Sequence, residues 1–212
     1  FKADPIPEGY VEKILEAARW APSGANSQPW EFVVVRDTKT KDEIADLFVE
    51  SVKLSRKVDT RFPFSDKYIE SIKPRISGAP VLIAVCGDKR LKDAYPKTTD
   101  REHILSVSIG AAIEHIHLAA TALGLASSWG TVSIFAEERL KELLGVPDEL
   151  SIYEVIQIGY PAEQPTRSRR SLDSIIHYER FNRSKLRSDR EIKELITKRT
   201  APDIYAHLAP KT

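Results

Sequence analysis

The stretch from Asp100 to Leu123 constrains this chain more than any other. Its apolar residues, dense in Ile109–Ile113 and Leu118–Leu123, cover most of a helix's surface rather than one stripe. A helix that is apolar nearly all round must be enclosed, at the centre of a domain or in an interface between copies. Three runs can supply the enclosure: Trp30–Arg36 (WEFVVVR), Pro80–Cys86 (PVLIAVC) and Tyr153–Ile158 (YEVIQI). Each is rich in β-branched and aromatic residues and short, as buried strands are, and Pro80 is tolerated at a strand's first position. Helical spacing marks Val11, Ile14, Leu15 and Ala18, with Pro7 and Glu8 in the first turn and Pro22 and Gly24 as the stop. It recurs from Asp42 to about Arg56, with Ile44, Leu47 and Phe48 on one side, and from Glu137 to Leu144, where Gly145 is the C-terminal cap. Ser188 and Glu191 form a capping box for a last helix to about Arg199, and Ala201–Thr212 reads as a tail. Lys57–Lys73 mixes charges with Phe62, Phe64 and Tyr68 without a clean period, and reads as an irregular segment or lid. Helices and strands do not alternate regularly, so the expected class is α+β.

With 212 residues, no repeat and no Pro/Gly-rich linker, the chain reads as a single domain, large enough to need no disulfide or metal for its core. Lys and Arg number 32 against 31 Asp and Glu. That balance gives no overall field to attract nucleic acid or an anionic membrane. The single cysteine, Cys86, excludes an internal disulfide framework and a cysteine-rich zinc site, and fits a reducing cytoplasm. The uncharged run Leu118–Ala136 is broken by Gly124, Gly130 and several hydroxyl residues, so no membrane span is expected. Asp4 and Pro5 interrupt any leader-like start. The sequence starts at Phe1 and contains no Met, so a segment ahead of Phe1 is expected.

Familiar chemistry is mostly excluded. There is no GxGxxG, no GxxxxGK[ST] and no GxSxG, which disfavours a dedicated dinucleotide site, a P-loop and a hydrolase elbow. His115 and His117 lie two apart on a helix, roughly 200° around it, and cannot share one ion; one buried and one exposed is the expectation. Cys86 at the end of a buried strand reads as a small core hydrophobe, and Asp173 with His177 as ordinary polarity. Two clusters remain. Ala21–Trp30 (APSGANSQPW) packs Gly, hydroxyls and carboxamides between a helix and a strand, which suits a ligand with many hydrogen-bonding edges. By composition alone, a turn closed by Pro22 and Pro29 explains it equally well. Arg167-Ser168-Arg169-Arg170 offers forked guanidiniums suited to a phosphate, or a solvated basic loop.

Together these segments resemble the nitroreductase family of flavin-dependent enzymes. Ala21–Val35 (APSGANSQPWEFVVV) is similar to the family's first signature, and His117–Thr131 (HLAATALGLASSWGT) to the end of its central helix and the flavin-edge loop. Leu143–Glu149 and Ile158–Leu172 resemble the last strand and the phosphate loop, so four motifs fall in order over Phe1–Phe181. The resemblance implies an α+β sandwich, a mainly antiparallel sheet with helices on both faces, in a domain-swapped homodimer. Two FMN molecules would lie at the interface, and about residues 182–212 would wrap the partner. Pro22, Ser23 and Gly24 would touch the flavin and its ribityl chain; Asn26 would reach it across the interface, with Gln28 beside it. Trp129, Gly130 and Thr131 would lie against the isoalloxazine. Arg169 would grip the phosphate with Arg167 in support, and Arg170 is a weaker helper. Members usually open with an Arg-Ser-x-Arg stretch that would end where Phe1 begins, so the cation near the flavin N1–O2 edge has no residue here.

The implied activity is ping-pong reduction of a small electron-poor acceptor, a nitroaromatic or quinone, with NAD(P)H as donor in the cytoplasm. No nucleic acid, membrane or metal is expected. Specialised relatives, a reductive dehalogenase or a flavin-consuming benzimidazole synthase, and a non-catalytic flavin-binding redox sensor are the competing readings. Ser106–Ile109 (SVSI) resembles iodotyrosine deiodinases, but Val52 and Arg56 stand at the lid where those enzymes have Glu and Tyr.

Overall fold

The computed structural model describes residues 1–61, 64–163 and 169–199. Four strands form one antiparallel sheet: β1 (Trp30–Val35), β2 (Val81–Asp88), β3 (Ala126–Ser128) and β4 (Leu150–Gly159), in spatial order β1-β2-β4-β3. Among the described residues there are six helices, α1 (Tyr10–Arg19), α2 (Thr38–Val58), α3 (Asp66–Ser77), α4 (Arg101–Ala122), α5 (Glu137–Leu144) and α6 (Asp189–Arg199), the first five of which pack on the sheet or on one another. The sheet separates two cores. Val81, Ile83, Val85, Ile156 and Ile158 point to one face, where α1 and α4 pack; Leu82, Ala84, Cys86 and Val155 point to the other, against α2, α3 and α5. Alternation of side chains along β2 and β4 assigns each residue to its layer. This is the expected α+β sandwich with helices on both faces.

The enclosed helix is α4. Leu105, Ile109, Ile113 and Ile116 are almost wholly buried against α1 and the sheet. At about 1.5–3 kcal/mol for each large aliphatic side chain, those four contribute roughly 6–12 kcal/mol of gross burial, so packing rather than propensity fixes this helix. Among the described residues it is also the one helix long and apolar enough to cross a bilayer, and the fold uses that length across the sheet. Asp100 caps it, accepting from the His103 N–H at 3.1 Å. Cys86 is fully buried, and burial pushes its thiol up to about 11, as suits a core residue.

Several boundaries differ from expectation. The second helix starts at Thr38, not Asp42, because the Asp37 carboxylate accepts from the Thr40 N–H at 2.8 Å. Lys57–Lys73 is not irregular throughout: α2 runs into it and α3 begins within it, where the Ser65 hydroxyl accepts from the Tyr68 N–H. The first helix begins at Tyr10, after rather than at Pro7. The strands reach beyond the apolar runs, to Asp88 and from Leu150, and β3 was not foreseen. The register of β2 on β4 shifts between Val85 and Cys86, leaving Tyr153 as an extra residue between Ile152 and Glu154. This bulge puts Tyr153 on the α4 side, where it packs against that core, and Glu154 opposite Val85 of the same core. The capping box of α6 is as expected: the Ser188 N–H donates to Glu191 Oε2 at 2.7 Å.

Candidate functional site

A cavity of about 700 Å³ opens between the α2–α3 pair and the segment that follows β3. Phe48, Val52, Tyr68 and Ile72 form one wall; Trp129–Phe135 and Gln157 form the other. The second wall exists because β3 pairs with the end of β4 and the chain then turns back over it. The Gly130 carbonyl accepts from the Val155 N–H at 3.0 Å, and Thr131 bridges to Glu154. A Cβ at position 130 would lie 2.4 Å from both the Val155 oxygen and Gln157 Nε2, so only glycine fits this close approach.

Trp129 is held from the α4 side. Its ring stacks on His117 at 5.7 Å between centroids, and its indole N–H donates to the Glu154 carboxylate. His117 Nδ1 lies 2.6 Å from the Ser127 hydroxyl. Glu154 is 6% exposed, and its Oε2, like His117 Nε2, has no hydrogen-bond partner among the described residues. Burial pushes the Glu154 carboxyl up to about 7 and keeps the His117 imidazole below the usual histidine range. His115 takes the opposite direction, with Nδ1 2.9 Å from the Ala17 carbonyl on α1. The two histidines therefore part as their spacing requires, but both are half-buried, not one buried and one exposed.

The Pro22–Gln28 loop is fastened to the other layer. The Gly24 N–H donates to Ser108 Oγ of α4 at 3.1 Å, Ser27 Oγ lies 2.7 Å from the Tyr95 hydroxyl, and the Gln28 N–H donates to Ser23 Oγ at 3.0 Å. Three non-glycine residues in this loop have left-handed backbones: Ala25 and Asn26 at φ 51° and Gln28 at φ 46°. Ala25 and Gln28 cost roughly 1–2 kcal/mol each, and Asn26 less, because asparagine tolerates this region. Such strain in one loop is what a plain turn avoids and a binding loop retains.

Of the predicted site residues, the structure gathers Trp129, Gly130 and Thr131 at the cavity, while Pro22, Ser23, Gly24, Asn26 and Gln28 do not line it. Arg169 is exposed and does not line it, and Arg170 donates to the Ser174 carbonyl at 2.7 Å. Arg167 lies outside the described residues. Sequence reasoning missed Glu154, Gln157, His117 as the support of Trp129, and the α2–α3 wall. A signal for the first two was present: Glu and Gln interrupt the otherwise buried run YEVIQI.

A sequence model of the Nitroreductase family matches residues 1–160. A protein of Archaeoglobus fulgidus, provisionally named NADH dehydrogenase/NAD(P)H nitroreductase, is 34% identical over 163 residues, covering 75% of this chain and 76% of its own. A 5,6-dimethylbenzimidazole synthase of Rhodospirillum rubrum is 32% identical over 173 residues, covering 77% of each. Among solved structures, an FMN-dependent nitroreductase of Clostridium difficile superposes with a TM-score of 0.63 at 24% identity, over 85% of this chain and 92% of that one. Fold, matched residues and relatives agree: the chain belongs to the nitroreductase family of oxidoreductases.

Proposed function

We propose that this oxidoreductase is an FMN-dependent homodimer that takes reducing equivalents from NAD(P)H and passes two electrons to a small electron-poor acceptor. For a nitroarene the balance is nitroarene, NAD(P)H and one proton giving nitrosoarene, NAD(P)⁺ and water. The observation that carries this reading is the separation of the two candidate contact sets. The strained Pro22–Gln28 loop and the Trp129–Thr131 ledge do not share a cavity within one chain, and a second copy supplies the missing half of each. Val107 and Leu118 support that second copy: they are 55% and 60% exposed on a helix whose Leu105, Ile109, Ile113 and Ile116 are enclosed.

The residues present fit FMN. At position 130 a Cβ would collide with Val155 and Gln157, so the glycine lets the Trp129–Thr131 ledge lie flat against β4, and the Pro22–Gln28 loop holds costly backbone angles that a bound ligand repays. Pro22, Ser23 and Gly24 hold the flavin and ribityl chain, with Asn26 and Gln28 reaching from the other copy. Trp129, Gly130 and Thr131 bear on the ring, Trp129 kept in place by His117 and Glu154. Arg169, with Arg167, takes the phosphate. FMN, when bound, supplies the hydride-accepting and electron-donating chemistry. The chain orients it, excludes water and presents one open face, so donor and acceptor take turns there and the kinetics are ping-pong. Residues 182–199 wrap the partner, the rest of that segment lying outside the described residues, and the free Cys86 thiol suits a cytoplasmic enzyme.

Chromatography of the cofactor released on denaturation tests the reading, together with sedimentation of the loaded protein. FMN in one equivalent per chain and a dimer are expected; a protein that takes up no flavin, or a flavin-loaded monomer, refutes it. Initial rates over a grid of donor and acceptor concentrations should give parallel double-reciprocal lines.

A further inference from the structure

We infer that the cavity between α2, α3 and the 129–135 segment selects aromatic acceptors carrying a fixed negative charge, with Arg75 as the residue that binds the charge. The inference rests on the flavin-dependent reading above and names its acceptor class.

Arg75 lines the cavity and is half-buried. Three neighbouring cations have an acid. Arg56 pairs with Asp66 at 2.6 Å and also donates to the Phe64 carbonyl; Arg61 grips both oxygens of Asp59; Lys73 holds Asp46 at 2.6 Å. Among the described residues Arg75 has no carboxylate partner, and its guanidinium lies over the face of Tyr68, 5.7 Å from guanidinium carbon to ring centroid. Asp59 also lines the cavity, but the bonds from Arg61 hold its carboxyl at about 2 and occupy both its oxygens. The charge left uncompensated in the cavity is therefore positive. A guanidinium partly removed from water without an acid gains more from an arriving carboxylate than a solvated one does, and its planar fork accepts it through two parallel bonds.

The rest of the lining selects a ring. Tyr68 stacks on Phe64 with centroids 5.3 Å apart, and Phe48 and Ile72 continue the apolar wall. The volume of about 700 Å³ lies in the range of small-molecule sites. The opposite wall is Trp129–Thr131, where the proposed flavin edge lies. A ring seated between these walls, with its charge on Arg75, points its other end toward that edge. Arg75 is on this account a substrate-binding and specificity residue.

The test compares 4-nitrobenzoate with 4-nitrobenzamide, which has nearly the same shape and no charge, on the FMN-loaded enzyme and its Arg75→Gln and Arg75→Lys variants. A charge-assisted bond is worth about ten- to a hundredfold in binding. Arg75→Gln should lower kcat/KM for nitrobenzoate by about that factor, through KM, and leave nitrobenzamide and flavin reduction by NAD(P)H unchanged, with Arg75→Lys recovering part of the loss. Calorimetry with benzoate, which cannot be reduced, should show binding to the wild type and none to Arg75→Gln. Equal losses on both acceptors, unchanged benzoate binding, or loss of bound FMN from the Gln variant would overturn the inference, the last by placing Arg75 on the cofactor. If the protein holds no flavin, the functional reading fails instead, while the benzoate result still decides whether the pocket binds the anion.

Discussion

Glu154→Gln should make the protein less sensitive to pH, with a sign that the structure fixes. The carboxyl is 6% exposed on β4, one of its oxygens has no partner among the described residues, and burial lifts it from the 4.5 of an unfolded chain to about 7. The folded state therefore holds the proton more tightly than the unfolded state. Below pH 4.5 both states are protonated and the group costs nothing. Between 4.5 and 7 the unfolded chain loses the proton first, so stability falls as pH rises; above 7 the loss is complete. At about 1.4 kcal/mol per pKa unit this amounts to about 3 kcal/mol. Glutamine removes the titration and keeps an oxygen for the Trp129 indole, at a roughly constant cost for its unpaired amide of about 1–3 kcal/mol. Urea denaturation of both proteins from pH 5 to 8 gives the difference between them, in which other groups, His117 included, cancel. That difference should move in favour of the variant by about 2–3 kcal/mol across the range. Two curves that stay parallel would refute the reasoning, because they would mean that Glu154 titrates alike in the folded and unfolded chains.

Gly130→Ala forces a methyl to within 2.4 Å of the Val155 carbonyl, and should lower stability by about 1–3 kcal/mol in thermal unfolding. Asn26→Gly relieves a φ of 51° and should raise the stability of the flavin-free protein by up to about 1 kcal/mol, while a fluorescence titration shows weaker FMN binding. Arg169→Ala should weaken FMN by about one to two orders of magnitude in the same titration; an unchanged dissociation constant would place the phosphate elsewhere.

The elements that were legible in the sequence are those whose burial is uniform. α4 was found nearly to the residue, because enclosure demands apolar residues all round and Asp100 marks its start. β1 was equally plain, while β2 and β4 were found only at their apolar centres. Their ends, Gly87–Asp88 and Leu150–Ile152, are strand by virtue of pairing with each other. β3 left no trace, since Ala126, Ser127 and Ser128 have no strand signature of their own and are ordered by Gln157–Gly159. α3 was hidden because its buried positions, Ile69, Ile72 and Ile76, begin only near the end of a charged stretch. The loop at Pro22–Gln28 was conspicuous through its motif, but its strained backbone is visible only in three dimensions. Trp129–Thr131 were legible through their motif, but the cavity itself was not, because its walls come from α2, α3 and the segment after β3, which only the sheet brings together.

The extra residue in β4 decides where this chain can change length. Residues Leu150–Ile152 and Glu154–Gly159 run in one strand but out of phase, and Tyr153 is the joint between them. A residue deleted at the joint would turn the bulge into a regular strand with Ile152 still opposite Cys86 and Glu154 still opposite Val85, so both halves keep their layers and only Tyr153's place in the α4-side core is lost. A residue gained before Leu150, in the turn from α5, shifts nothing beyond the turn. A family built on this sheet is thus free to vary the approach to β4 and the joint itself, and bound to keep the count from Glu154 to Gly159, because that count carries Glu154 under Trp129 and Gln157 to the cavity wall.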